Sequence, residues 1–400
     1  MSGKTKTNGI SATIRKVNVA MNTDILGWIK SRDYYAPDND ELLYLDEQIR
    51  DIWSLGRNVV LRWAHCPGGI MVLAVPHYAL AGDRKTGESS QEVREIYNEL
   101  LSTPKQASLL SLQRTAKKLG YEPIKINETR NLKKKPDAAI SQILSRYGAS
   151  YVTNQAVVLF DIVGFSKYTP LEQFTQINSL SYSLNIAHAR MISSGQAVDF
   201  ARSTTGDGFY VWNREESVLA NVNLYHFMLL ALADNAIARS KSAPNVIPLL
   251  RSALHIGDRY DFHQSESLKP TSSNFVVGDV TIELARMLES AKPGQVLVGD
   301  FKVSFPESSR VGSQVDTAKF IDLAQSGLSY LQGIELSGEP VDAIRCYLTG
   351  SRKGDDYSIR QYRIVDKHGY SRVAYNAKVN IYREGAEPIY LGLQDSEADF

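Results

Sequence analysis

Two acidic residues stand where packing does not account for them. Asp161 closes the apolar run QAVVLFD (155–161) and is followed at once by Ile162-Val163-Gly164-Phe165-Ser166. A carboxylate at the end of a buried strand is costly without a partner. The turn after it exposes successive backbone N–H groups beside a helix start, an arrangement that cradles phosphate. Asp207 lies between Gly206 and Gly208, at the tip of an expected hairpin. If the two strands are neighbours, both carboxylates reach one edge of one sheet. Paired carboxylates beside a phosphate cradle suit two divalent cations and a triphosphate. His65 and Cys66 are adjacent as well. With no third ligand in reach of the pattern, they read as a strand-end pair.

The elements that must position these groups follow from periodicity. QAVVLFDIVGFS (155–166) is a strand running into a glycine turn. Residues 171–195 carry Leu171, Phe174, Ile177, Leu180, Leu184 and Met191 at helical spacing, with Gly195 as a stop. Residues 198–212 form a hairpin around Gly-Asp-Gly. A helix over 217–239, a strand over 249–258, a helix from Asp279 and a strand over 294–300 complete this block. Upstream, 58–65 and 69–78 read as strands around Pro67-Gly68-Gly69, and 89–118 as two helices broken at Pro104. Apolar content collapses over 128–137, which marks a linker. Residues 357–394 alternate like a strand meander.

Composition narrows the function classes. The chain has 400 residues, 43% hydrophobic and 22% charged, which suits an ordinary globular protein of two or three domains. Lys+Arg 45 against Asp+Glu 44 gives a net charge of +1, so no broadly basic surface for nucleic acid is expected. Two distant cysteines, Cys66 and Cys346, exclude a disulfide framework and fit a reducing cytoplasm. No apolar run approaches the roughly 20 residues that span a bilayer, and no membrane partner is expected.

Four stretches resemble the catalytic domain of the class III nucleotidyl cyclases: LFDIVGFS (159–166), STTGDGFYVW (203–212), RSALHIGD (251–258) and VVGDVTIELARMLESAKPGQVLV (276–298). The resemblance implies an α+β fold with a ferredoxin-like βααβ core, an antiparallel-rich sheet and helices on its faces. It implies a head-to-tail homodimer with its sites at the interface. Asp161, Asp207 and the carbonyl of Ile162 would hold two Mg²⁺ or Mn²⁺ ions. Gly164, Phe165 and Ser166 would cradle the β- and γ-phosphates. Arg286, from the other protomer, would stabilise charge at the α-phosphate. The expected domains are 1–137, an α/β region of unassigned role; 138–350, the catalytic domain; and 351–400, a small β-rich domain.

The departures from that family concern the base and the transition state. Purine cyclases place a Lys or Glu four residues before the second metal carboxylate; here it is Ser203, flanked by Arg202 and Thr204. The place of an adenine-reading Asp or Thr holds Phe275, and that of a transition-state asparagine holds Ile282. Residues 362–394 resemble, through Asp366-Lys367-His368-Gly369 and Tyr375-Asn376, the small sensor-like domain behind cyclases of bacterial anti-phage systems. Together these features resemble the pyrimidine cyclases of Pycsar defence systems. They imply conversion of UTP to 3′,5′-cyclic UMP, a second messenger read by a separate effector protein. Cyclisation of CTP, a purine cyclase with an atypical pocket, and a catalytically silent cyclase fold are the alternatives. Asp161, Asp207 and Arg286 together favour the enzyme, since a silent module has no need for all three.

Overall fold

The computed structural model describes residues 40–81, 90–127, 135–265, 272–304, 314–353, 356–366 and 369–398. They fall into two compact units, those within 23–152 and 260–277, and those within 153–259 and 278–400. The expected boundary near 137 therefore lies later, within the strand that leads to Asp161. Most of the expected linker, 128–134, is outside the described residues.

In the first unit, α1 (Asp40–Trp53) precedes β1 (Asn58–Cys66) and β2 (Gly69–Pro76), which pair antiparallel. Two helices, α2 (Ser90–Ser102) and α3 (Leu109–Leu119), flank Pro104 as its missing N–H requires. Ser108 caps α3 by accepting the Ser111 N–H. Next come β3 (Ile124–Asn127), which pairs with β2, and α4 (Asp137–Ser145). Both faces of this sheet are covered. Val60, Ile70 and Val72 pack with Leu45 and Ile49 of α1 and Ile140 of α4, while Ala64 and Leu73 meet Leu112 and Ala116 of α3.

In the second unit, β4 (Ala149–Ile162) leads to α5 (Pro170–Ser193), β5 (Phe200–Thr204), β6 (Gly208–Asn213), α6 (Val218–Ser240) and β7 (Leu250–Ser265). The four strands lie in the order β7-β4-β6-β5. Numbered along the chain that is 4-1-3-2, the ferredoxin-like βαββαβ arrangement the sequence resemblance implied. Thr169 and Glu172 form a capping box at the start of α5, with Pro170 at its first position. Val158 and Phe160 of β4, Leu180 and Leu184 of α5 and Leu224 and Phe227 of α6 share one core, so both helices cover the same sheet face.

The hairpin strand β8 (Ser272–Val277) pairs with the far end of β7 and belongs to the first unit, whereas α7 (Asp279–Ser290) begins in the second. After α7, β9 (Val296–Gly299) joins the sheet parallel to β7. β10 (Lys302–Val303) and β11 (Val315–Asp316) make a two-strand ribbon before α8 (Thr317–Ser326). Then come β12 (Glu335–Leu336), β13 (Glu339–Leu348), the ribbon β14 (Gly350–Lys353) and β15 (Asp356–Ile359), β16 (Tyr362–Val365), β17 (Ser371–Arg383) and β18 (Ala386–Leu391). The meander of the last residues is present, but not as a separate domain. β17 lies between β9 and β13 in the sheet that holds β4, with β16 and β18 paired to it. The boundary expected at 350/351 divides nothing. Asn376, buried in β17, donates to Thr349 Oγ1 and accepts from Gln295, which ties these strands together.

No helix among the described residues is long and apolar enough to cross a membrane.

Candidate active site

Strand pairing brings the two aspartates together. Asp161 of β4 is directly opposite Gly208 of β6, and the Ile162 N–H donates to the Asp207 carbonyl at 3.0 Å. A Cβ at position 208 would come within 1.9 Å of the Phe160 carbonyl oxygen, so only glycine lets the hairpin tip approach this closely. Thr205 donates to Asp207 Oδ1 at 3.2 Å and the Gly206 N–H to Thr204 Oγ1 at 3.0 Å, which fixes the turn. Beyond β4 the Val163 N–H is committed to the Leu249 carbonyl and the Lys167 N–H to the Gly164 carbonyl. Between them, after Gly164 in the left-handed region (φ +68°), Phe165 and Ser166 open a short 3₁₀ turn (165–167). Its leading N–H groups have no acceptor within the turn.

The sequence reading missed Arg251. Its Nε donates to Asp161 Oδ2 at 2.6 Å and its Nη1 to the Ala291 carbonyl, at the C-terminal end of α7, at 3.1 Å. The available signal was an arginine beside an apolar strand start. Its partner, though, lies on another strand. Burial pushes the Asp161 carboxyl above the usual range, Arg251 pulls it back, and the charge of Asp207 adds to the upward push. Two neighbouring carboxylates, one of them in contact with Arg251, make an acidic centre that suits cations. Among the described residues no three His, Cys, Asp or Glu side chains converge as a cage. The oxygen donors of Asp161 and Asp207 therefore fit Mg²⁺ or Mn²⁺, which are typically held by one or two carboxylates with substrate phosphates completing the shell.

Strand alternation sorts the remaining candidates. Ser203 pairs with Tyr210 and Tyr210 with Leu159, so Ser203 shares a sheet face with Asp161. Arg202 and Thr204 are on the opposite face. Arg202 lies over the Phe209 ring and donates to Asn185, while Thr204 serves the glycine turn. The expected grouping of Arg202, Ser203 and Thr204 in one pocket is corrected accordingly. Phe275, the fourth residue of that group, belongs to the other compact unit. There it stacks on Phe262, with ring centroids 5.2 Å apart. Tyr210, also unanticipated, donates from its hydroxyl to the Thr281 carbonyl at 3.2 Å and so ties β6 to α7.

Arg286 of α7 pairs with Glu289, with Nη1 2.9 and 3.0 Å from the two carboxylate oxygens, and its Nε is 3.8 Å from Asp366. Within one chain it meets these acids rather than Asp161 or Asp207. Ile282, one turn earlier, is exposed. Lys367 and His368 are outside the described residues, and Asp366 is taken up by salt bridges. Tyr375 donates to Asp300. His65 bonds Asp137 at 2.8 Å, which with the Gln106 amide lowers the Asp137 carboxyl below its usual range; Cys66 is a free thiol.

No protein-family model matches the chain, and no curated protein sequence does. Among solved structures, the chain is similar to adenylyl and guanylyl cyclase domains. The adenylyl cyclase CyaB from P. aeruginosa is 12% identical, over 57% of this chain and 95% of that one, with a TM-score of 0.32. The guanylate cyclase domain of RhGC from Catenaria anguillulae, in complex with GTP, is 12% identical over 58% and 98%, with a TM-score of 0.34. A dimeric guanylyl cyclase domain of the RhoGC fusion protein from Blastocladiella emersonii is 14% identical over 57% and 97%, at 0.33.

Proposed function

We propose that this chain is a metal-dependent pyrimidine nucleotide cyclase that converts UTP to 3′,5′-cyclic UMP and pyrophosphate. The observation that carries the reading is the pairing of β4 with β6, which sets Asp161 opposite Gly208 and bonds the Ile162 N–H to the Asp207 carbonyl, beside the Gly164 turn and Arg251. In the reaction the ribose 3′-oxygen bonds to the α-phosphorus as the bond from that phosphorus to the pyrophosphate oxygen breaks. The 3′-hydroxyl proton leaves to solvent.

Asp161, Asp207 and the Ile162 carbonyl would hold two divalent ions. When bound, the ions supply Lewis-acid polarisation of the 3′-hydroxyl and neutralise the triphosphate. Gly164, Phe165 and Ser166 would receive the β- and γ-phosphates on their N–H groups. Arg251, released from Asp161, would add a cation there. Arg286 would act at the α-phosphate of a site shared with a second copy of the chain. Such a division of labour is positioning plus electrostatics, as in other phosphoryl transfers.

The choice of base rests on Ser203, the polar side chain of β5 on the Asp161 face. Its short hydroxyl can meet one uracil edge atom but lacks the reach of a purine-reading Lys or Glu. The role in anti-phage signalling rests on the sequence resemblance of residues 362–394. Incubation with each of the four nucleoside triphosphates and Mn²⁺, with chromatography of the cyclic products, tests the reading. UTP should give the highest kcat/KM and CTP the second, with ATP and GTP at least about tenfold lower, roughly 1.4 kcal/mol or more. A preference for ATP or GTP would sink the pyrimidine assignment.

A further inference from the structure

The charged cluster around Arg286 has a buried anchor that the proposed chemistry does not use. Asp366, in the turn between β16 and β17, has a side chain only 2% exposed. A carboxylate so deep needs partners that stay in place. Its Oδ1 accepts the Tyr370 N–H at 3.0 Å, and its Oδ2 accepts from Arg372 Nη1 at 2.7 Å. The same Oδ2 is 3.8 Å from Arg286 Nε. Arg372 in turn pairs with Glu283 of α7 at 2.8 Å. The β16–β17 hairpin thus grips α7 twice, at Glu283 through Arg372 and at Arg286 through Asp366.

The two acids on Arg286 differ in kind. Glu289 is half-exposed and sits three residues away on the same helix, a type of pair that holds weakly. Asp366 is buried, fixed by its own turn and by a second arginine. Among the described residues, Arg286 Nη2 meets no protein acceptor. An incoming phosphate can therefore take Nη2 and displace Glu289 from Nη1 while the fixed Asp366 carboxylate, an ion-pair contact 3.8 Å from Nε, still attracts the guanidinium. We infer that Asp366 is a positioning residue for Arg286, orienting its guanidinium toward the α-phosphate. The inference rests on the cyclase reading above.

The experiment compares full-length wild type with Asp366→Asn, Asp366→Glu and Glu283→Gln. Glu283→Gln loosens the hairpin's other grip on α7 without touching Arg286. With the preferred triphosphate and Mn²⁺, Asp366→Asn should lower kcat at least about tenfold while KM changes less than about threefold. Asp366→Glu should recover part of the loss, and Glu283→Gln should stay within about threefold of wild type. An Asp366→Asn enzyme with unchanged kcat overturns the inference, as does an equal loss in Glu283→Gln, which would mean that the hairpin is only a staple. The Nε–H resonance of Arg286, identified by its absence from Arg286→Lys, supplies a readout independent of turnover. Its chemical shift and line width should match wild type in Glu283→Gln and change in Asp366→Asn. If it is unchanged in Asp366→Asn, the positioning is wrong whatever the activity. A wild type that forms no cyclic product defeats the cyclase reading instead.

Discussion

At the residue scale, Asp161 is held under electrostatic tension. Its raised carboxyl means that the ionised form is less stable in the fold than in the unfolded chain, even with Arg251 at 2.6 Å. The cost is present once pH exceeds the usual carboxylate range and vanishes in acid. Asp161→Asn keeps a polar partner for Arg251 and removes the charge. Its Tm at pH 7 should therefore be no lower than that of wild type, while cyclisation falls below about a hundredth, the loss expected when several kcal/mol of metal-derived stabilisation go. Asp207→Ala should be equally inactive. Calorimetry and product assays on the same samples check both. A clear drop in Tm for Asp161→Asn would show that Arg251 needs the charge for folding, and retention of a tenth of the rate would remove that aspartate from the metal site. Ser203, Arg202 and Thr204 carry the complementary lesson. Adjacent residues on a strand cannot share a pocket wall, because their side chains alternate.

At the element scale, α6 and β7 each bury a histidine. His226 bonds the Ala324 carbonyl through Nε2 at 2.8 Å and the Tyr330 hydroxyl through Nδ1 at 3.0 Å, an arrangement that a neutral ring satisfies with one donor and one acceptor. His255 packs against Phe301. Burial lowers both to about 4, from an ordinary value of 6.5. The sign follows directly. Above pH 6.5 both states are neutral and stability is full. As pH falls toward 4 the unfolded chain takes up protons that the fold refuses, so stability falls by up to about 1.4 kcal/mol per pH unit for each histidine. Denaturant titrations at pH 7 and 5 should show this loss, and His255→Gln should show a smaller one, whatever its stability at pH 7. Equal losses in both proteins would mean that His255 ionises freely in the fold.

At the scale of the whole molecule, Arg286 pairs with Glu289 and Asp366 of its own chain, and the proposed site would take it from a second copy. Asp161→Asn and Arg286→Ala should each be inactive, and mixing them should restore part of the activity as mixed dimers rebuild one intact site. No recovery after demonstrated subunit exchange would refute the shared site. The sequence by itself determined that Asp161 closes a strand and that Asp207 sits in a Gly-Asp-Gly turn, because both are local patterns. That β4 and β6 pair and bring the two side by side is a tertiary fact. The sequence also determined the order of strands and helices from β4 through β7. The ferredoxin-like core was implied only by the family resemblance, and the 4-1-3-2 order is seen in the strand pairing. Tertiary structure alone decided that Arg251 lies on Asp161, that Asp366 lies by Arg286, and that β17 runs between β9 and β13 instead of in a domain of its own. β17 is buried along most of its length, yet it carries Asn376 and Lys378. Its place depends on hydrogen bonds to Gln295 and Thr349, residues far away along the chain, and no local period encodes such a partner.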